Sequence, residues 1–169
     1  MAKITVVSAS GVKNLELAQK FEAQLKSLGA EVSVLNLMSL DLPLFTSESD
    51  TRHDAKALLG PWFDTLHATQ GFVILAPEYN GGIPPLLTNF IAWVSRSSKD
   101  WRACFNEKSA IIGTFSGGGS GHVLTAMRMQ LSYIGMNVLG RQVLTHSGKA
   151  LDEQSMLGAC QQLIGHSHK

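Results

Sequence analysis

Short apolar runs alternate with segments of helical periodicity along the whole chain. The runs are rich in β-branched residues, and one of them is apolar at every position, as expected of a strand buried on both faces of a parallel sheet. Five strands are predicted on this basis, at residues 3–8, 31–37, 71–76, 109–115 and 136–140. Strands of this kind need helices above and below them, so the pattern predicts an α/β protein.

Helices are predicted between and after these strands, because apolar side chains recur there three or four residues apart. The periodic faces span residues 17–28, 54–69, 87–94, 124–134 and 156–164. Asn14 and Asp152 are suited to begin the first and last helices as N-caps, and Gly29 is suited to end the first. Gly60 and Pro61 are predicted to interrupt the second face, with Pro61 as the first residue of a new helix.

A strand followed by a helix, repeated about five times, gives a doubly wound parallel sheet with helices on both faces. Residues 1–169 are predicted to form a single domain, with a loop at residues 41–50. Ligands of such sheets bind beyond the carboxyl ends of the strands. The loops at residues 8–14, 77–82 and 116–121 all leave the sheet at that edge, so they can converge on one ligand.

Composition and charge limit the kinds of molecule that the protein is expected to bind. Of the 169 residues, 44% are hydrophobic and 16% are charged, which is the composition of a folded globular protein. The net charge is +1 with no long basic or acidic run, so nucleic acid is not expected as a partner. No segment approaches the roughly 20 apolar residues of a membrane span, and the amino-terminal apolar stretch is too short for a secretion signal.

The two cysteines, Cys104 and Cys160, lie far apart and form no C-x-x-C pair. This spacing argues against a metal site and against a redox dithiol. Two buried thiols in a reducing compartment are the expected arrangement. We therefore predict a soluble, cytoplasmic protein with no metal site and with neither nucleic acid nor membrane as a partner.

The first loop, SASGVKN, opens directly onto a helix. Free backbone N–H groups and the positive end of the helix dipole favour an anion such as a phosphate at that point. The alternative is an ordinary strand-to-helix turn with a serine cap. The residues predicted to bind the anion are Ser8, Ser10, Gly11, Val12, Lys13 and Asn14.

The other two loops are rich in residues that bring the backbone close to a ligand. In PEYNGG, Pro77 stops the strand and the glycines permit a tight turn, so outward N–H and C=O groups can bind the edge of a flat heterocycle. A tight turn before a helix, with Glu78 as a charge near a helix end or as a subunit contact, is the alternative. In SGGGSG, missing side chains let a planar ligand approach, although a flexible surface loop has the same composition. The predicted ligand contacts are Pro77, Glu78, Tyr79, Asn80, Gly81, Ser116, Gly117 and Gly118.

The stretch PEYNGGIPPLLTNFIAWVSR resembles the P-E-Y-N-G-S-[IV]-P-x-x-L-K-N-x-[IL]-D-W motif of the NADPH-dependent FMN reductase family, which includes quinone, azo-dye and chromate reductases. DLPLF and GTFSGGGSGHVLTAMRMQLSYIGMNVL also stand where that family has LPLY and a glycine-rich loop before a helix. The resemblance covers nearly the whole chain, and the P-E-Y-N-G stretch is its most specific part.

This resemblance implies a flavodoxin-like sheet with strand order 2-1-3-4-5 and a bound FMN. The FMN phosphate would lie on the first loop and its ring against residues 77–80, with the glycine-rich loop closing over it. NADPH or NADH would be the co-substrate, and a quinone, flavin or similar small molecule the electron acceptor. The family also implies a homodimer or homotetramer. Apolar surface for it is predicted at Pro84, Pro85, Phe90 and Trp93, with packing in the core as the alternative for Trp93.

The chain departs from the family pattern at three points. Its first loop is shorter than the family's G-S-x-R-x-x-S-x-N and has no arginine, so Lys13 is the available positive charge. Thr88 and Ala92 replace the usual Lys and Asp.

The short SASG form is also similar to the phosphate loop of flavodoxins. Two further functions therefore stay open: a flavin-binding electron-transfer module without nicotinamide turnover, and a flavodoxin-like scaffold that has lost its flavin.

Overall fold

The computed structural model describes residues 1–119 and 121–167. In this part of the chain, five parallel strands form one sheet in the order β2-β1-β3-β4-β5, as predicted. The strands are β1 (Lys3–Ser8), β2 (Glu31–Asn36), β3 (Gly71–Leu75), β4 (Ser109–Phe115) and β5 (Asn137–Thr145). The α-helices are α1 (Lys13–Ser27), α2 (Ser47–Arg52), α3 (Ala55–Leu59), α4 (Trp62–Ala68), α5 (Pro85–Val94), α6 (His122–Tyr133) and α7 (Glu153–His166).

Two apolar layers hold the helices to the sheet. On one face, Phe21 and Leu25 of α1 and Leu163 of α7 pack against β1, β3 and β4. On the other face, side chains of α3 to α6 such as Phe90 and Met127 pack against the same strands. β3 is buried at every position, which is why its sequence is apolar throughout. No helix in residues 1–119 and 121–167 is both long enough and apolar enough to cross a membrane.

Several predicted helix boundaries are confirmed. Gly29 follows the end of α1 with a φ of 85°, and Gly60 separates α3 from α4 with a φ of 55°. The Asp152 carboxylate caps α7 by accepting a hydrogen bond from the Ser155 N–H at 3.0 Å. Pro61 was predicted as the first residue of a helix but stands one residue earlier, at the N-cap position of α4.

Two elements differ from the sequence prediction. Part of the predicted loop at residues 41–50 is helical, because Thr46 and Ser49 cap α2 reciprocally. Strand β5 runs five residues past its predicted end at residue 140 and reaches Thr145. Between Ala110 and Ile112 of β4, the paired residue on β5 advances from Val138 to Gln142, so β5 bulges outward there.

The segment just before α2, at Pro43 and Phe45, packs over α5. The Trp93 indole N–H donates to the Pro43 carbonyl at 2.7 Å, and the Asn89 amide donates to the same carbonyl at 3.0 Å. Phe45 meets the Trp93 ring edge-on, with centroids 5.2 Å apart. Trp93 and Phe90 are consequently 0% and 2% exposed. Pro84 is buried too, whereas Pro85 is exposed. The prediction that Phe90 and Trp93 offer surface to a partner subunit is therefore wrong, since both belong to the core of their own chain, and the alternative of core packing for Trp93 is confirmed.

Candidate functional site

The three loops singled out from the sequence meet at the carboxyl edge of the sheet. Each loop starts on a backbone hydrogen bond to the neighbouring strand. The Ala9 N–H donates to the Leu75 carbonyl at 2.8 Å, and the Ala76 N–H donates to the Gly113 carbonyl at 3.1 Å. The Ser116 N–H donates to the Thr145 carbonyl at 3.2 Å. The start of each loop is thus fixed by the sheet, which places the loops side by side in the order of their strands.

Two serines shape the first loop. Ser8 is fully buried, and its hydroxyl donates to the Ser10 carbonyl at 2.8 Å, so its side chain supports the loop from beneath. The half-buried Ser10 hydroxyl accepts a hydrogen bond from the Asn14 amide at 3.2 Å. Its own hydrogen has no acceptor within residues 1–119 and 121–167. Ser10 can therefore donate to a ligand.

Asn14 joins the first loop to the end of β4. Its side-chain oxygen accepts from the Phe115 N–H at 2.8 Å, and its side-chain nitrogen donates to the Phe115 carbonyl at 3.0 Å. Asn14 is 1% exposed and lies inside α1. Its prediction as an N-cap is therefore wrong. The backbone N–H of Asn14, in the first turn of α1, is what this residue can offer a ligand.

Helix α1 begins without a side-chain cap from the described residues, and Val12 occupies its N-cap position with an exposed side chain. The N–H groups of its first turn have no partner inside the helix. Lys13 is exposed and forms an ion pair with Glu16 at 2.9 Å. At Gly11 an added Cβ would lie 2.7 Å from the Met38 sulfur, so a side chain there would displace Met38. The start of α1 therefore presents N–H groups without a partner inside the helix and the positive end of the helix dipole.

The PEYNGG loop forms a two-residue hairpin turn. The Tyr79 and Gly82 backbones exchange two hydrogen bonds, of 3.1 and 2.9 Å. Asn80 and Gly81 between them have φ values of 50° and 76°. Two positive φ values in succession are the requirement of a type I′ turn, and Asn-Gly is the pair that meets it at least cost. Pro77 is buried beneath this turn, and Tyr79 is 54% exposed at its start.

Glu78 connects this turn to the next helix. One of its carboxylate oxygens accepts a hydrogen bond from the Val123 N–H at 3.1 Å, in the first turn of α6. A carboxylate at a helix N-terminus is favoured both by the free N–H groups and by the helix dipole. The reading of Glu78 as a charge near a helix end is therefore confirmed, and the bond ties the third and fourth strand ends together.

The glycine-rich loop follows β4. Ser116 is buried, and its hydroxyl donates to the Gly118 carbonyl at 2.7 Å. An added Cβ at Gly117 or Gly118 would meet nothing within 4 Å. The outer side of these glycines is thus open to a ligand. Ser120, which the sequence reading included in this loop, lies outside the described residues.

A fourth loop escaped the sequence reading. His146 and Lys149, just after β5, exchange backbone hydrogen bonds of 3.2 and 2.9 Å around a Ser147-Gly148 turn. The His146 ring lies against the glycine-rich loop, because an added Cβ on Gly119 would come within 3.0 Å of its Nε2. The sequence signal was the Ser-Gly pair after an apolar run. It was missed because β5 was predicted to stop at residue 140.

A parallel sheet in this strand order, with its ligand-accessible loops at the carboxyl edge, defines a flavodoxin-like α/β protein. The chain belongs to the NADPH-dependent FMN reductase family, whose model matches residues 2–150. Membership confirms the predicted class of enzyme, an FMN-dependent NAD(P)H oxidoreductase. It disfavours both alternatives, the electron-transfer module and the scaffold without flavin.

Individual relatives agree with this assignment. The chain is 27% identical over 179 residues to an FMN-dependent NADH:quinone oxidoreductase of Shewanella loihica, which covers 90% of this chain and 89% of the relative. The structure resembles the flavoenzyme NAD(P)H:(acceptor) oxidoreductase FerB of Paracoccus denitrificans, with a TM-score of 0.78, 19% identity and coverage of 99% and 98%. An archaeal flavodoxin superposes with a TM-score of 0.64, 16% identity and coverage of 98% and 96%.

The residues present at the carboxyl edge fit a flavin mononucleotide. The uncapped start of α1 and the free donor of Ser10 suit a phosphate. The rigid turn at Tyr79–Gly82 and the open side of Gly117 and Gly118 suit a flat ring system.

The Asn14 bridge generates a prediction about stability. Asn14→Ala removes both bonds to the Phe115 backbone and leaves the Phe115 N–H without its Asn14 partner. We therefore expect the free energy of unfolding to fall by about 2–3 kcal/mol. Urea denaturation measures this change. The control is Asn106→Ala, an exposed asparagine, which should stay within about 0.5 kcal/mol of the parent. Equal effects of the two substitutions would contradict a structural role for Asn14.

Proposed function

We propose that this protein transfers two electrons from a reduced nicotinamide to a quinone, with FMN bound across the first loop, the hairpin turn and the glycine-rich loop. The observation that supports this most directly is that the uncapped start of α1 and the hairpin turn at Tyr79–Gly82 lie on the same sheet edge. The curated relatives with the same overall length are FMN-dependent NADH:quinone oxidoreductases, which supports a quinone as the acceptor.

In this proposal the first loop holds the FMN phosphate. Ser10 donates through its free hydroxyl hydrogen, and the first-turn N–H groups from Val12 to Asn14 point at the anion. Gly11 keeps the backbone accessible, and Ser8 fixes the loop without touching the ligand. Lys13 contributes less binding energy than an unpaired lysine or arginine would, because it is exposed and already forms an ion pair with Glu16.

The ring of FMN would rest on the backbone of Pro77, Glu78, Tyr79, Asn80 and Gly81, under Ser116, Gly117 and Gly118. Bound there, FMN would supply the capacity to accept and release two electrons. The protein's share is orientation, because the turn and the glycine-rich loop are fixed by hydrogen bonds before any ligand arrives. No side chain in this region needs to act as a general acid or base.

The two substrates would use one open face in turn. The overall reaction balances as NAD(P)H plus a proton plus quinone giving NAD(P)⁺ plus hydroquinone. Because both substrates are flat and must reach the same ring, they exclude one another.

We also propose a homodimer, or a dimer of dimers, formed through α6. Met129 and Tyr133 of this helix are 73% and 78% exposed. With Ile83 and Thr88 they line an apolar cavity of about 410 Å³ between α6 and the start of α5. Exposed apolar surface of this kind favours a protein contact. Ile83 directly follows the hairpin turn, so a partner seated here would stand beside the ring site.

A cytoplasmic location is the last part of the proposal. Cys104 and Cys160 are both unpaired and buried, which suits a reducing compartment. Burial raises the pKa of the Cys104 thiol to about 11 and that of the Cys160 thiol to about 12. Both side chains therefore stay as unreactive thiols at neutral pH.

Flavin titration tests the placement of the phosphate. Charge-assisted hydrogen bonds are worth roughly 1.5–3 kcal/mol, so Ser10→Ala should weaken FMN by about tenfold or more and leave riboflavin nearly unchanged. Asn80→Gly, which keeps the positive φ of the turn, should weaken both flavins alike because Asn80 would face the ring. Fluorescence quenching of FMN and of riboflavin by the apo-forms of the parent and of each variant gives the affinities to compare. An unchanged preference for FMN in Ser10→Ala would show that the phosphate lies elsewhere.

Steady-state kinetics test the shared face. If NAD(P)H and quinone use it in turn, double-reciprocal plots at several quinone concentrations should be parallel. Excess quinone should also inhibit competitively against NAD(P)H. Intersecting lines would require both substrates to be bound together and would refute a single face.

Light scattering at micromolar concentration tests the α6 interface. The parent protein should have the mass of a dimer or tetramer, and a double substitution Met129→Lys with Tyr133→Lys should shift it toward the monomer, because two desolvated charges disfavour the contact. Leu44→Lys is the matched control, since Leu44 is 72% exposed on a different surface and should leave the mass unchanged. A monomeric parent protein would count against the proposal.

A further inference from the structure

We infer that a cavity beside the first loop binds the phosphorylated adenosine half of NADPH. This inference rests on the proposed function, since it assigns a second contact region to the same co-substrate. It concerns a part of the protein that neither the FMN phosphate nor the ring occupies in that proposal. It also favours NADPH over NADH, because the additional 2′-phosphate would add charge where the protein presents cations.

The cavity lies between α1 and the ends of β4 and β5. Its volume is about 470 Å³, within the range of small-molecule sites. One wall is α1 and the opposite wall is the chain that follows β5. The lining residues are Lys13, Glu16, Leu17, Lys20, Phe115, Thr145, His146, Ser147, Lys149, Ala150 and Leu151.

The charges around the cavity favour an anion. Lys13, Lys20 and Lys149 face one acidic side chain, Glu16, which already pairs with Lys13 at 2.9 Å. Lys20 and Lys149 have no carboxylate within 4 Å among the residues described. Glu153 shares a neighbouring groove with Lys20 and is not in ion-pair contact with it. Two uncompensated ammonium groups on opposite walls can bind phosphate oxygens from both sides.

Apolar side chains also line the cavity. Leu17 of α1, Phe115 at the end of β4 and Leu151 after β5 can contact the flat face of a purine. A site with both apolar and cationic side chains matches a phosphorylated nucleoside better than it matches inorganic phosphate, which has no apolar surface to bury.

The turn after β5 gives the cavity a rigid wall. Two backbone bonds close the turn between His146 and Lys149, and the His146 Nδ1 accepts from the Gly148 N–H at 3.2 Å. In the neutral ring, that bond leaves the hydrogen on Nε2, the nitrogen nearest Gly119. His146 can therefore act as a neutral donor at the border between cavity and glycine-rich loop.

Position along the sheet allows one dinucleotide to reach both regions. The hairpin turn follows β3 and the cavity lies at β5, with β4 between them. Two strand spacings amount to about 10 Å, which is shorter than an extended dinucleotide. The nicotinamide could thus face the ring region while the adenosine phosphate occupies the cavity.

Calorimetric titration of 2′,5′-ADP into apo-protein and FMN-loaded protein tests the inference. We expect 2′,5′-ADP to bind more tightly than 5′-AMP, and binding to weaken with salt because the contacts are ionic. The double variant Lys20→Ala with Lys149→Ala should lose about tenfold or more in affinity for 2′,5′-ADP. Lys99→Ala removes the same kind of exposed charge elsewhere and should bind like the parent. Equal affinity of the parent and the double variant for 2′,5′-ADP would overturn the assignment, as would equal affinity for 5′-AMP.

Two nucleotides contain a phosphorylated adenosine that the cavity could bind, NADPH and FAD, and competition with FAD distinguishes them. If the cavity serves NADPH, 2′,5′-ADP should bind equally to apo-protein and FMN-loaded protein. If it instead held the adenylate of FAD, the protein would bind FAD more tightly than FMN, and 2′,5′-ADP would compete with FAD. That result would overturn the assignment to NADPH.

Kinetics distinguish this inference from the proposed function. In the double variant, the KM for NADPH should rise about tenfold or more, while kcat and the KM for quinone should stay at parental values. If the protein bound 2′,5′-ADP through Lys20 and Lys149 but oxidised no NADPH, the proposed function would fail and the cavity assignment would stand. If it oxidised NADPH with an unchanged KM in the double variant, the cavity assignment would fail and the proposed function would stand.

Discussion

The bridge from Asn14 to the Phe115 backbone is the contact on which the geometry of the sheet edge depends. It joins a helix to a strand that lies 101 positions later in the chain. The first loop ends at Asn14 and the glycine-rich loop begins just after Phe115, so one buried side chain holds the two loops together. A buried amide that meets both the N–H and the carbonyl of one residue holds orientation as well as distance. The Glu78 carboxylate links the hairpin turn to α6 by accepting from the Val123 N–H. Two side-chain contacts thus fix three loops.

The family motif divides into a part that forms a turn at the sheet edge and a part that holds the fold together. The residues from Pro77 to Gly81 belong to the turn, whereas Asn89 and Trp93 both bind the Pro43 carbonyl. The Asn89 side-chain oxygen also accepts from the Phe45 N–H at 2.7 Å. The two most recognisable stretches of the chain, around residues 41–45 and 77–93, are therefore in direct contact.

The sequence was sufficient for the sheet and for the places where loops gather, because strand burial and helix periodicity are local signals. Contacts between distant parts of the chain were beyond it. Asn14 has the residue type and position of an N-cap, and only the fold shows that its partner is Phe115. Phe90 and Trp93 were taken for surplus apolar surface because the segment around Pro43 that covers them cannot be located from a local pattern. Strand β5 was cut short because Gly140 and the polar pair Arg141 and Gln142 interrupt its apolar run at the bulge.

That bulge has a consequence for how such enzymes can change. β5 is an edge strand that pairs with β4 alone, so residues gained or lost at the bulge disturb one ladder of hydrogen bonds rather than two. The number of residues in it decides how far the strand extends and where the His146 turn comes to stand. An insertion or deletion in the bulge could therefore move the His146 turn. The first loop and the hairpin turn, which follow β1 and β3, would keep their positions. The sheet edge thus has one turn whose position can change with the length of an edge strand, and two loops that the inner strands hold in place.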